Sequence, residues 1–106
     1  MTNPITRGLR PIHPGAILRE DALPALGLPL LRIAADLRLS RQHLYDILHE
    51  KKPVTAQTAL KLGRYLGNGP DIWLALQSRY DLKAAEMSMA EALDAIPVAE
   101  RVPEPA

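Results

Sequence analysis

The chain has 106 residues, with 13 Lys+Arg, 12 Asp+Glu and no cysteine, which is the length of one domain with a modest core. Without cysteine there is neither a disulfide framework nor a thiolate zinc site, and no apolar run nears the ~18–20 residues of a membrane span. The net charge of +1 hides an asymmetry: residues 1–83 hold 12 Lys+Arg against 7 Asp+Glu, and residues 84–106 hold one Arg against 5 acids, so a basic body compatible with polyanion binding precedes an acidic tail. Leu and Ala dominate, and β-branched residues never alternate over a strand's length. An all-α fold is therefore expected. The stretch MTNPITRGLRPIHPG lacks the apolar segment of a signal peptide, so the expectation is a cytoplasmic protein with no membrane partner.

Residues 1–12 carry two prolines and no periodicity, and read as an extended arm. Pro14 suits the first turn of a helix through GAILREDAL, with Ile17, Leu18 and Leu23 inward. Pro24 and Gly27 close it. A short second helix starts at Pro29, with Leu30, Ile33, Ala34 and Leu37 at helical spacing. After RLS, Ser40 is an N-cap whose oxygen can accept a first-turn N–H. The third helix that follows has Leu44, Ile47 and Leu48 as its apolar stripe. Pro53 disfavours helix at Lys52, which makes EKKPV a loop. Thr55 caps a fourth helix, AQTALKLGRYL, with Ala59, Leu62 and Leu66 inward and Gly67 as its stop. Pro70 opens a fifth, DIWLALQSRYDLKAAE, with Asp71 near its positive end. Beyond it Met89, Leu93 and Ile96 keep a faint stripe before PVAERVPEPA, which reads as disordered. The expected division is an arm over 1–12, a body over 13–83, and an acidic extension over 84–106, partly helical and then disordered.

Two short helices joined by about three residues, the second capped and amphipathic, form a helix-turn-helix arrangement. At 100° per residue, Arg41, Tyr45, His49, Gln42 and Asp46 fall within an arc of about 140° facing away from the apolar stripe. Arg donates two bonds to guanine, and Gln pairs bidentately with adenine. Arg41 and Gln42 sit in the first turn, the part of such a helix that reaches deepest into a major groove. Tyr45 and Asp46 lie one turn later, and Lys51 and Lys52 would flank the phosphates. A polar outer face is often only solvated surface, but the tandem of short helix, turn and Ser-capped helix weighs against that. IWLAL is apolar nearly all round, more than one face of a small domain absorbs. Ile72, Trp73, Leu76 and Tyr80 are the expected contact with a second copy. A two-fold dimer sets two such helices ~34 Å apart and calls for palindromic operator DNA. His13, His43 and His49 make no ligand cluster, and there is no phosphate loop, nucleophile elbow or triad. No metal, cofactor or catalysis is expected.

The segments IHPGAILREDAL, IAADLRLSRQHLYDILHEKKPVTAQTALKLGRYLG and GPDIWLALQSRYDL together resemble HigA-type antitoxins of the Xre/lambda-repressor-like helix-turn-helix superfamily. The match spans about His13 to Leu82, and HPG and WLALQSRYDL are its family-specific parts. The resemblance implies an all-α, five-helix lambda-repressor-like domain that dimerises, represses its own operon and neutralises a HigB/RelE-like mRNA-cleaving toxin. Carried over by position, Ser40 matches a phosphate-contacting cap, and Arg41, Gln42 and Asp46 match base-facing positions. Tyr45 and His49 match more variable exposed ones. Two positions depart from the pattern. The turn usually carries glycine where Arg38 stands, and a positive φ there costs on the order of 1 kcal/mol, while its cation could reach a phosphate. An Asn-Gly turn is replaced by His49-Glu50, with Glu50 expected to point away from DNA. Two alternatives remain: a stand-alone Xre-family repressor, and a helical protein-interaction module that needs no DNA. The arm, the first helix and the acidic tail are all candidates for the toxin-binding surface.

Overall fold

The computed structural model describes residues 11–101 and 103, which form helices and connecting turns with no strand among them. Residues 1–10 of the expected arm lie outside the described residues. α1 (Pro14–Ile17) runs on as a π-helical turn over Leu18–Ala22 and a 3-10 turn over Pro24–Leu26, ending at Gly27 with φ 66°. The π-turn has a packing reason. Leu23 N donates to Leu18 O at 3.0 Å, and i→i+5 bonding brings residues five apart toward the same side. An α-helix would set them ~140° apart. Both leucines are buried.

The start of α1 explains the HPG motif. His13 Nδ1 accepts the Gly15 N–H at 2.9 Å, capping the helix, and Pro14 fills the first position, which has no donor to satisfy. The ring is buried and meets Tyr80 edge-on at 4.8 Å. Burial holds the imidazole below its usual pKa of 6.5, although Glu50, Asp81 and a backbone hydrogen bond at Lys52 pull it the other way. The folded state therefore binds this proton less readily than the unfolded chain does. Stability from His13 is complete above about pH 6.5 and is lost as the pH falls from there toward the folded value. The melting temperature is expected to drop between about pH 7.5 and 5.5, and His13→Asn, which still offers a capping oxygen, should flatten that dependence. A pH profile unchanged in the variant would show that His13 is not the responsible group.

α2 (Leu30–Leu37) and α3 (Arg41–Leu48) both end in a residue with positive φ that is not glycine. At Arg38 (φ 58°), the Arg38 N–H bonds Ala35 O at 3.1 Å and the Leu39 N–H bonds Ala34 O at 3.0 Å. At Glu50 (φ 63°), the Glu50 N–H bonds Ile47 O at 3.0 Å and the Lys51 N–H bonds Asp46 O at 2.7 Å. Both are Schellman closures, which satisfy the last carbonyls of each helix. Of the expected stripe in α2, Ile33, Ala34 and Leu37 are buried, but Leu30 is 46% exposed. The first turn overhangs the core, and Leu30 lines a shallow apolar depression with Leu23, Pro24, Leu28 and Leu48 instead.

α4 (Ala56–Leu66) is capped by Thr55 Oγ1 on the Thr58 N–H at 3.3 Å and stopped by Gly67 at φ 78°. It buries Ala59 and Leu62, and Leu66 packs on the core rim. α5 (Asp71–Ser88) is followed by α6 (Ala90–Asp94), a short helix exposed along its length. α1 packs on α3 and α5, α2 on α3 and α4, and α4 on α5. Trp73, expected at a dimer contact, lies in the core of its own chain at 2% exposure, with Nε1 donating to Asn68 Oδ1 at 3.1 Å. It has no surface to offer a partner. Gln77, one turn on, is also buried. Its Oε1 accepts the Val54 N–H at 2.8 Å and its Nε2 donates to Asp81 Oδ1 at 3.0 Å. The loop between α3 and α4 is thereby pinned to α5.

Candidate nucleic-acid interface

α3 is held from beneath by Leu44, Ile47 and Leu48, all buried. Ser40 Oγ accepts the His43 N–H at 3.0 Å, so the cap expected from the sequence is made. Arg41, Gln42, Tyr45 and His49 are exposed, His43 and Asp46 are half-buried, and all but His43 belong to the polar arc. Arg41 pairs with none of the described residues. Gln42 Nε2 donates to Asp46 Oδ1 at 2.8 Å. The Tyr45 and His49 rings stack at 3.9 Å with an interplanar angle of 20°. His49 Nδ1 lies 3.0 Å from Tyr45 O. A carbonyl only accepts, so that nitrogen carries the proton. The pair forms a stacked shelf one turn along the helix. Arg38, Lys51 and Lys52 are exposed at the two ends of α3. The expected recognition residues thus share one surface.

Two residues that hold α3 in place have no signal in the sequence. Arg19, on the π-turn, donates through Nη1 to Leu48 O at 2.6 Å and pairs with Glu50 Oε2 at 3.3 Å and Glu20 Oε2 at 2.7 Å. It closes the C-terminal end of the helix, where a cation is favourably placed. Glu50 is thereby drawn toward α1. At the other end Lys61, on α4, donates to Arg38 O at 3.1 Å and steadies the left-handed turn. Arg19 and Lys61 stand 29 and 23 residues from the carbonyls they reach, beyond any local pattern. α2 is fixed to α4 by Tyr65, whose hydroxyl donates to Asp36 Oδ2 at 2.7 Å, with Arg32 on the same carboxylate at 3.1 Å. The Tyr65 bond holds the Asp36 pKa below its usual value, and the same bond raises that of Tyr65.

Of the expected dimer residues other than Trp73, Ile72 is 48% exposed, while Leu76 and Tyr80 are half-buried. Leu74 and Leu82 are exposed on the same helix. Among the described residues no group of His, Asp and Glu is arranged to hold a metal, and no helix is long and apolar enough to cross a membrane.

No family model matches the chain. It is 45% identical over 75 residues to virulence-associated protein I of Dichelobacter nodosus, covering 71% of this chain and 69% of that one. Among solved structures, the antitoxin HigA of Pseudomonas aeruginosa with the higBA promoter is 34% identical at a TM-score of 0.78, covering 83% and 97% of the two chains. The antitoxin GraA in complex with its operator is 35% identical at a TM-score of 0.81, covering 89% and 96%. Other relatives are named as helix-turn-helix transcriptional regulators and as the antitoxin HigA-1 of Vibrio cholerae, which is 30% identical over 69% of each chain. With its Ser-capped third helix and the HPG start that seats it, this chain belongs to the HigA-type antitoxins, a helix-turn-helix DNA-binding family.

Proposed function

We propose that this chain is an antitoxin that represses its own operon, reading palindromic operator DNA as a two-fold dimer and neutralising a HigB/RelE-like mRNA-cleaving toxin. The observation that carries this reading is α3 itself: apolar beneath, closed at both ends by residues of other helices, and exposed along one polar face. Arg41 and Gln42 are the principal base readers, with Asp46 beside them. Ser40, Arg38, Lys51 and Lys52 meet phosphates, where positive charge gives affinity without sequence information. The stacked Tyr45 and His49 flank the groove. Ile72, with the outer edges of Leu76 and Tyr80, contacts the second copy. The operator complexes of HigA and GraA support the DNA partner.

Arg41→Ala is expected to weaken operator binding by ~1–3 kcal/mol with the fold and dimer unchanged, as measured by mobility-shift titration on the chain's own promoter. Unchanged affinity would remove Arg41 from the contact. Wild-type binding should fall steeply with salt, because each neutralised phosphate releases counterions. Co-purification with the product of the adjacent gene tests the toxin partner. A chain that binds the promoter but retains no such product is a stand-alone repressor.

A further inference from the structure

We infer that Asp46 is a positioning residue that fixes the Gln42 amide in the one orientation suited to adenine, and so sets a base preference in the operator. The inference rests on the operator reading above. Gln42 Nε2 donates to Asp46 Oδ1 at 2.8 Å across one helical turn. A carboxylate only accepts, so the flipped amide would set oxygen against oxygen. The bond therefore leaves only one orientation. Asp46 is half-buried, and its backbone carbonyl takes the Lys51 N–H at 2.7 Å and the Lys52 N–H at 3.2 Å, which fixes the backbone that carries the carboxylate.

With one N–H committed to Asp46, Gln42 has one N–H and its Oε1 left to present outward, side by side. Adenine offers the complement in the major groove, an N7 acceptor beside an N6–H donor. Guanine offers N7 and O6, both acceptors, so the same Gln42 would gain one bond and place Oε1 against O6. Freed from Asp46, the amide could turn its NH2 toward guanine, and the discrimination would shrink. The carboxylate need not touch DNA for this. It acts through Gln42.

The test uses the full chain and duplexes of its own promoter in which each A·T pair of the footprint is changed singly to G·C. Asp46→Ala and Asp46→Asn both remove one negative charge and should raise overall affinity alike. Asn still offers Gln42 an acceptor but can also turn its NH2 toward it, so it holds the amide less strictly than the carboxylate does. In the wild type, one pair per half-site should show a preference for adenine over guanine of about tenfold. That preference should be partly kept in Asp46→Asn and fall to less than about twofold in Asp46→Ala. An undiminished preference in Asp46→Ala overturns the inference while leaving operator binding intact. A wild-type chain that binds no promoter duplex overturns the operator reading, and this inference with it.

Discussion

Gly15→Ala is expected to destabilise the fold by about 3 kcal/mol and lower its melting temperature by roughly 12–20 °C. A Cβ at this position would fall far inside van der Waals contact distance of the Ile47 carbonyl oxygen and press on the His13 ring. The carbonyl belongs to the backbone of α3, so no rotamer change relieves the clash. Either α1 lifts from α3, weakening the burial of Leu18, or the His13 cap breaks. Both outcomes also move Arg19, and with it the closure of α3. Thermal unfolding followed by circular dichroism reads the effect directly. A drop of less than about 3 °C would mean that α1 has room to shift without loss.

Trp73→Ala should cost still more, about 4 kcal/mol, because it empties the largest side chain from the core and strands Asn68 without its indole partner. Urea unfolding should show a lower midpoint at every protein concentration. A residue acting at the interface between copies would behave differently. Its loss would leave the monomer intact and instead change how stability depends on protein concentration. Observing that second pattern would return Trp73 to the dimer surface.

The helices from α2 to α5 could be read from periodicity and caps, because Ser40, Thr55, Pro70 and Gly67 act locally. The polar outer face of α3 was legible for the same reason, since a side chain's angle on a helix follows from its number. Besides Arg19 and Lys61, three further features were not legible, each because a distant part of the chain decides it. Leu30 has the right spacing for the core but sits where the helix overhangs it. Trp73 and Ile72 are neighbours in an apolar run, and it is the packing of other helices on α5 that separates the buried one from the exposed one. Gln77 looks like a surface residue until the Val54 N–H it satisfies is seen 23 residues away. The π-turn is an intermediate case. Leu18 and Leu23 were both expected inward, yet five-residue spacing meets that demand only if the helix widens.

Arg38 and Glu50, the two left-handed residues that bracket α3, also act on the chain when it is not folded. Glycine at either position would let the denatured backbone wander over both halves of conformational space, and all of that freedom would be surrendered on folding. Arginine and glutamate start from a narrower ensemble and have less to give up. The strain held in the native turns, on the order of 1 kcal/mol each, is thus partly offset by lower entropy in the denatured chain.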